Sequence, residues 1–497
     1  MNDGTNDKSQ LVDILFVSMP SRANSIYPPM GFLFLSGFLD KHTAYHSAIL
    51  DPKIPLYKEL TPRREERIRG QIFAAVEQLK PRFLGFSLLP ADLQVFLNLA
   101  RGIKAKFSTT QIVAGGVLPT VDPKSLLFEA SPVDVVVRRD GEVPCRELLS
   151  GKSWDNTPGL AWWADGAVHD NRLACLRDEI DYIPSYHKVD MHYYSQMWTI
   201  TIRPFYTKGA LVFSSIGCPY RCTFCANANH HVKYKRLDVL MEELRLLKEN
   251  YKFNSFLILD ECFLAKKKRA LEFCREYTKS GLAMPWAMQT RANLFTEELA
   301  PVLAKAGCVH VSFGVESGSD EVLKRVNKGI TAAQNLKAFQ LCRQHGIKTF
   351  ANIMFNMPGE TEHDIKLTKL FLKKAKPMHV AMSLTVPLLG TQINKEYVEP
   401  PLTPDEYTIF TSSAYTRIVD PRFCLASHDL NLGRLMIRES IKYFLKTSFG
   451  LISFERWYLS GVLGKTSPTE LVRAFLIKIY IQVRSYTRGI LAVFRKN

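Results

Sequence analysis

Six short apolar segments, at 210–216, 255–260, 285–290, 310–316, 348–355 and 379–386, recur along the second half of this 497-residue chain. Stretches of helical period such as "LDVLMEELRLLKENY" separate them. A strand, a crossover helix and a further strand pack as a parallel unit. Six such units in succession predict a partial (β/α)6 barrel, whose chemistry belongs at the carboxyl ends of its strands.

The first half repeats the alternation on a smaller scale. Strand-like segments at 12–18, 47–51, 82–89, 110–120 and 133–142 alternate with helical ones and predict a doubly wound parallel sheet. Such sheets bind ligands beyond the carboxyl ends of their strands. There Gly115 and Gly116 let backbone approach a partner closely, unless they make an ordinary strand–loop turn. The α/β chain therefore divides into a first domain at 1–150, a linker with a small hairpin at 151–205, the barrel at 206–395 and a helical region at 396–497.

Composition narrows the setting. Hydrophobic residues make up 46% of the chain, enough for ordinary cores. The opening "MNDGTNDKSQ" is polar, with no signal-peptide pattern, so a cytoplasmic location and reduced thiols are expected. No run approaches the ~18 apolar residues of a membrane span. The net charge of +17 suits an anionic partner or is a basic solvated surface. The pattern of residues 468–497 predicts a basic amphipathic helix, opened by Ser467, Pro468 and Glu470. It either packs on the barrel or lies at the inner face of a membrane as a peripheral contact. "GVLGKTS" is no phosphate loop, because Leu459 stands where the first glycine is required.

The chemistry concentrates in "SSIGCPYRCTFCANAN", which places Cys218, Cys222 and Cys225 just past the first barrel strand. Thiolates suit zinc and iron–sulfur clusters. A structural zinc site needs a fourth ligand, which His230 or His231 would have to supply. A [4Fe–4S] cluster with three protein thiolates instead leaves one iron open to a substrate or cofactor. Cys262 stands two residues beyond Asp260 and is a candidate to face the same site; the remaining scattered cysteines read as small buried residues.

"CPYRCTFC" resembles the signature of the radical S-adenosylmethionine (SAM) superfamily. The resemblance continues in order through "FLILDECFLAKKKR", "MQTRANLF", "GVESGSDEVLKRVNKGIT" and "MFNMPGETEHD", covering about 210–395. It implies a TIM-like half-barrel with a [4Fe–4S] cluster on the three cysteines and SAM chelating the open iron. An electron from the cluster, supplied by a donor such as flavodoxin or ferredoxin, would cleave SAM to a 5′-deoxyadenosyl radical. By position, Phe224 would lie along the adenine. Asp260 and Glu261 would receive the ammonium group, Arg291 the carboxylate and Glu316 the ribose hydroxyls. Each charged residue could equally be a rim salt bridge.

The first half resembles the Rossmann-like cobalamin-binding domain fused ahead of many of these enzymes, through "YPPMGFLFLSGFL", "FLGFSLL", "VAGGVLPT" and "VDVVVRRDGE". This implies cobalamin in a crevice lined by Ser87, Gly115, Gly116 and Thr120. Two departures stand out. The Asp-x-His-x-x-Gly loop is absent, and Arg139 occupies a position where the family usually has glycine. The combined resemblance implies methylation of an unactivated carbon, with ring closure of the porphyrin-ester cyclase type as the alternative. The substrate would be a lipid, for instance a hopanoid, or a natural-product intermediate. A nucleic-acid-binding iron–sulfur sensor is the competing class, but no helix-turn-helix or RNA-binding module accompanies the charge, so nucleic acid is not expected as a partner.

Overall fold

The computed structural model describes residues 12–19, 28–52, 64–173, 178–192, 194, 209–226, 231–398 and 425–427. They fall into two compact units. The first comprises the described residues up to 173 with 182–191, and the second comprises 178–181 and those from 192 onward.

In the first unit, β1 (Ile14–Val17), β2 (Ser47–Leu50), β3 (Phe83–Leu88), β4 (Gln111–Gly116) and β5 (Val135–Val137) are parallel, in the order 2-1-3-4-5. This is the flavodoxin-like order, with its switch point between β1 and β3. β1 and β5 are buried along their whole length, which requires helices on both faces. Those helices are α1 (Met30–His42), α2 (Arg64–Leu79), α3 (Leu93–Lys106), α4 (Val117–Val121) and α5 (Glu142–Leu149). α3 shows why: Leu93, Phe96, Leu97, Ala100 and Ile103 are buried at helical spacing, one stripe against the sheet. The hairpin expected within the linker is part of this sheet. Its strands β6 (Leu160–Ala164) and β7 (Ala167–Asp170) run antiparallel beyond β5. Trp162 explains the attachment, since its buried indole stacks on His169 at 5.3 Å and meets Trp154 edge-on.

The second unit holds six parallel strands in sequence order: β9 (Gly209–Val212), β12 (Ser255–Ile258), β13 (Trp286–Thr290), β14 (Cys308–Glu316), β15 (Lys348–Phe355) and β16 (His379–Leu384). That is the expected half-barrel. Its helices are α6 (Leu237–Glu249), α7 (Lys267–Lys279), α8 (Leu299–Lys305), α9 (Asp320–Arg325), α10 (Ala332–Gln344), α11 (Glu362–Ala375) and α12 (Gln392–Tyr397). Capping boxes start two of them, Thr331 with Gln334 and Thr361 with Asp364; a cap of this kind contributes about 1 kcal/mol. Trp286 is fully buried among Phe256, Phe263 and Phe273, which locks β12 and β13 to α7.

One difference from the sequence expectation positions the site. The segment 210–216 is not one strand. It breaks after Val212 and resumes as β10 (Ser215–Ile216), which pairs antiparallel with β11 (Lys233–Lys235); β11 in turn pairs with β8 (Glu179–Ile180). The three cysteines therefore lie in a loop tied at both stems. β11 is held down by Lys235, whose wholly buried ammonium pairs with Glu243 of α6. Removing one member of such a pair costs roughly 3–5 kcal/mol. The helix expected at 468–497 lies outside the described residues. Among the described residues no helix is long and apolar enough to cross a membrane.

Candidate active site

The cysteine loop leaves β10 at Gly217, whose φ is +103°. A Cβ there would stand 2.2 Å from the carbonyl oxygen of His231, so only glycine lets the two stems pass. Further along, Thr223 donates its N–H to Val326 (3.1 Å), Asn327 donates its side-chain N–H to the Arg221 carbonyl (2.9 Å), and Ile393 of α12 donates its N–H to the Thr223 carbonyl (3.2 Å). Cys222 is buried, and Cys218 and Cys225 are partly so. Burial pushes the Cys218 thiol up to about 11. Binding of iron or another soft metal must therefore displace a proton.

The acidic pair closing β12 acts on this loop. Both Asp260 oxygens are occupied: one accepts the N–H groups of Ser214 (2.7 Å) and Ser215 (3.0 Å), the other their hydroxyls (2.5 and 2.7 Å). Asp260 is 1% exposed, and burial pushes its carboxyl above the ordinary range while the four donors pull the other way. Asp260 thus clamps the root of the loop through its bonds to Ser214 and Ser215. Glu261 accepts the N–H of Gly217 at 3.1 Å, and burial raises its carboxyl too. Arg269 of α7 staples the stems together, donating to the carbonyls of Ser214 and Lys235.

Two cations converge on the other side of the loop. The Arg291 guanidinium follows β13 and is buried. It donates to Cys222 Sγ at 3.4 Å and to the Lys328 carbonyl, and lies over the Tyr220 ring at 4.0 Å. Its Nε–H is buried without an acceptor. Lys328 pairs with Glu316 at 2.8 Å and approaches the Phe224 ring at 5.8 Å. Glu316 ends β14 with φ +63° and is almost fully buried. Gly314 makes room for the pair, since a Cβ there would stand 2.6 Å from Glu316 Oε1 and 3.0 Å from Lys328 Nζ. Phe224 also packs with Met354 against Val322, Val326 and Met357, an apolar floor beside the charged groups. Cys262 is buried, with its sulfur 3.5 Å from the Thr290 hydroxyl.

The structure thus gathers Cys218, Cys222, Cys225, Phe224, Arg291 and Glu316 around the ends of the barrel strands. It adds Lys328, Tyr220, Ser214, Ser215 and Arg269, which sequence reasoning did not single out. Three soft thiols backed by a cation fit a thiolate-bound iron–sulfur cluster. Among the described residues no three His, Cys, Asp or Glu side chains converge on a single metal ion; His230 lies outside them. A cluster carries its thiolates on separate irons and needs no such convergence.

In the first unit the four expected crevice residues also come together. Ser87 is in register with Gly115. Gly116 has φ +101°, and a Cβ there would meet the Leu88 backbone at 2.8 Å and Ser87 Oγ at 2.9 Å. The Thr120 hydroxyl donates to the Gly116 carbonyl (2.7 Å) and accepts from Arg139 N (2.8 Å), so it ties the ledge together. Leu89 and Val117 leave apolar surface exposed at the same strand ends. Arg139 is exposed and adopts φ +64°, a conformation that favours glycine.

A flavodoxin-like sheet with a glycine-floored ledge and a parallel half-barrel with three thiols at its mouth define an α/β protein of two cofactor-type domains. Residues 212–372 match the radical SAM superfamily model, and residues 21–149 match the B12 binding domain model. The chain thus carries a radical SAM domain with a domain of the B12-binding type ahead of it. It is 26% identical over 376 residues to an uncharacterised methyltransferase of Pyrococcus horikoshii, spanning 74% of this chain and 77% of that one. It is 26% identical over 473 residues to the anaerobic magnesium-protoporphyrin IX monomethyl ester cyclase of Rubrivivax gelatinosus, spanning 90% and 80%. Its fold is similar to that of the radical SAM methyltransferase TsrM of Kitasatospora setae, solved with cobalamin and a [4Fe–4S] cluster bound. The TM-score is 0.64 at 18% identity, over 78% of this chain and 74% of that one.

Proposed function

We propose that this chain is a cobalamin-dependent methyltransferase that acts on an unactivated carbon. The observation that carries the reading is a single chain joining the three-thiol loop at the barrel mouth to the glycine ledge of the first unit. When bound, the cluster and SAM supply a carbon radical and cobalamin supplies the methyl group. The protein's own part is orientation and exclusion of water. Cys218, Cys222 and Cys225 hold the cluster, and Asp260 with Glu261 hold the loop that presents them. The unpartnered Arg291 Nε–H is a ready donor for the SAM carboxylate, Glu316 is the acceptor for its ribose hydroxyls, and the Phe224 ring lies along its adenine. Ser87, Gly115, Gly116 and Thr120 form the floor for cobalamin.

The substrate is a lipid, such as a hopanoid, or a natural-product intermediate. A small electron carrier of the flavodoxin or ferredoxin kind reduces the cluster. The basic tail at 468–497 supports a peripheral membrane contact. Ring closure is the second reading, favoured by the similarity that spans 90% of the chain to the porphyrin-ester cyclase.

Anaerobic reconstitution with iron, sulfide and cobalamin, then reaction with labelled SAM, separates the two readings. Methylation yields S-adenosylhomocysteine alongside 5′-deoxyadenosine, whereas 5′-deoxyadenosine alone selects ring closure or rearrangement. Flotation of the full chain with anionic but not neutral liposomes tests the tail. Equal behaviour with both removes the membrane contact.

A further inference from the structure

We propose that Arg291 sets the reduction potential of the iron–sulfur cluster, by donating a charge-assisted hydrogen bond to the thiolate of Cys222. The inference rests on the three cysteines holding a cluster, and it assigns Arg291 a role separate from binding a SAM carboxylate.

The argument begins with charge. Arg291 is buried, yet among the described residues no carboxylate pairs with it. The neighbouring cation, Lys328, is neutralised by Glu316. Among the described residues the Arg291 guanidinium meets a sulfur, a carbonyl and an aromatic face: Cys222 Sγ at 3.4 Å, the Lys328 carbonyl and the Tyr220 ring at 4.0 Å. A buried guanidinium without a counter-ion is unfavourable. A cubane core bound by three thiolates carries net negative charge and is the missing counter-ion. Adding an electron to the cluster deepens that negative charge. A fixed cation and an N–H donor at a ligand sulfur therefore stabilise the reduced form more than the oxidised one, and this raises the potential.

The geometry is preorganised. Two of the three contacts, Tyr220 and Cys222, come from the cysteine loop itself, on either side of Arg221, and the third comes from the segment after α9. The guanidinium is thus held in place from both sides of the site, whether or not SAM is bound. Arg suits this role where Lys does not, because its planar fork serves sulfur and carbonyl at once and stacks on the ring. Arg291 acts through Cys222 and is a positioning and tuning residue.

The test is an electron-paramagnetic-resonance redox titration of the anaerobically reconstituted full chain, without SAM, alongside iron and sulfide analysis. Arg291→Gln is expected to keep its iron and to lower the equilibrium for reduction about tenfold, a shift of about 59 mV to more negative potential for one electron. Tyr220→Leu frees the guanidinium and is expected to shift the midpoint in the same direction by less. A wild-type midpoint in Arg291→Gln overturns the proposal. Where that variant takes up too little iron to titrate, a wild-type midpoint in Tyr220→Leu overturns it instead. A wild-type chain that binds no iron fails differently, since it removes the cluster reading itself.

Discussion

Asp260 illustrates how a residue can be found in the sequence while the partners it has in the fold stay hidden. Its place at the end of the second barrel strand was legible from "LILDE", but what its oxygens face was not, because Ser214 and Ser215 are 46 and 45 positions away. Lys328 and Tyr220 were hidden for the same reason. Each meets its partners only after the strands align, and neither belongs to a spacing that names a chemistry. The thiols were legible because a compact loop supplies all three. Asp260→Ala removes both acceptor oxygens and leaves the buried N–H groups of Ser214 and Ser215 without the carboxylate they donate to. A buried unsatisfied donor costs roughly 1–3 kcal/mol. The expected outcome is a chain less stable by that amount, with a several-fold faster loss of iron to a chelator; unchanged chelation kinetics would sink the clamp assignment.

Glu360 offers a titration to read at the same scale. Its Oε2 accepts the N–H of Asn356 at 2.9 Å, its Oε1 is buried with no partner, and burial pushes the carboxyl up to about 8 from the ordinary 4.5. The folded state holds this proton where the unfolded state has lost it. Its contribution is complete below about 4.5 and is lost as pH rises through about 8. Denaturation of the wild type between these limits should show stability falling with pH. Glu360→Gln keeps an acceptor for Asn356 and removes the titration, so its slope should be flatter by an amount on the order of a few kcal/mol across the window. Asp364, held low by hydrogen bonds from Ser319 and Thr361 that outweigh its burial, acts in a lower window with the opposite sign and leaves this comparison intact.

At the level of elements, the alternation of apolar segments and helical stretches was enough to predict a parallel sheet in each half, though not the 2-1-3-4-5 order of the first. It did not reveal the break after Val212, which creates the small sheet that holds the cysteine loop, because a two-residue strand such as β10 has no period to detect. Nor did it reveal that the hairpin at 160–170 extends the first sheet. Glycines at strand ends now separate site from scaffold. Alanine at Gly314 would meet the mobile ends of Glu316 and Lys328, whereas alanine at Gly318 would meet the Thr368 Cα at 2.6 Å and the Leu367 carbonyl at 2.7 Å, both backbone. Gly314→Ala is therefore expected to cost less stability than Gly318→Ala, because side-chain ends shift more readily than backbone, while weakening SAM binding by displacing the ion pair. Gly318→Ala should cost roughly 1–3 kcal/mol by forcing α11 away from β14. Calorimetric SAM titration and urea unfolding on both variants check the pair; equal SAM affinity in Gly314→Ala and wild type would show that Glu316 is not a contact.

At the scale of the whole molecule, the two units place their candidate sites on separate sheets. The clamp bonds of the thiol loop named above lie within the second unit, and those of the ledge lie within the first. Chain produced and reconstituted without cobalamin should therefore retain the iron and sulfide of the holoenzyme, and should still cleave SAM to 5′-deoxyadenosine when reduced. Methylated product and S-adenosylhomocysteine should be missing until cobalamin is added. If cleavage also disappears without cobalamin, the two sites are coupled and the barrel alone does not carry the radical step. If methylation persists without cobalamin, the ledge of Ser87, Gly115, Gly116 and Thr120 serves the fold and not a cofactor, and Arg139 in its left-handed turn would be the sequence feature that had marked the loss.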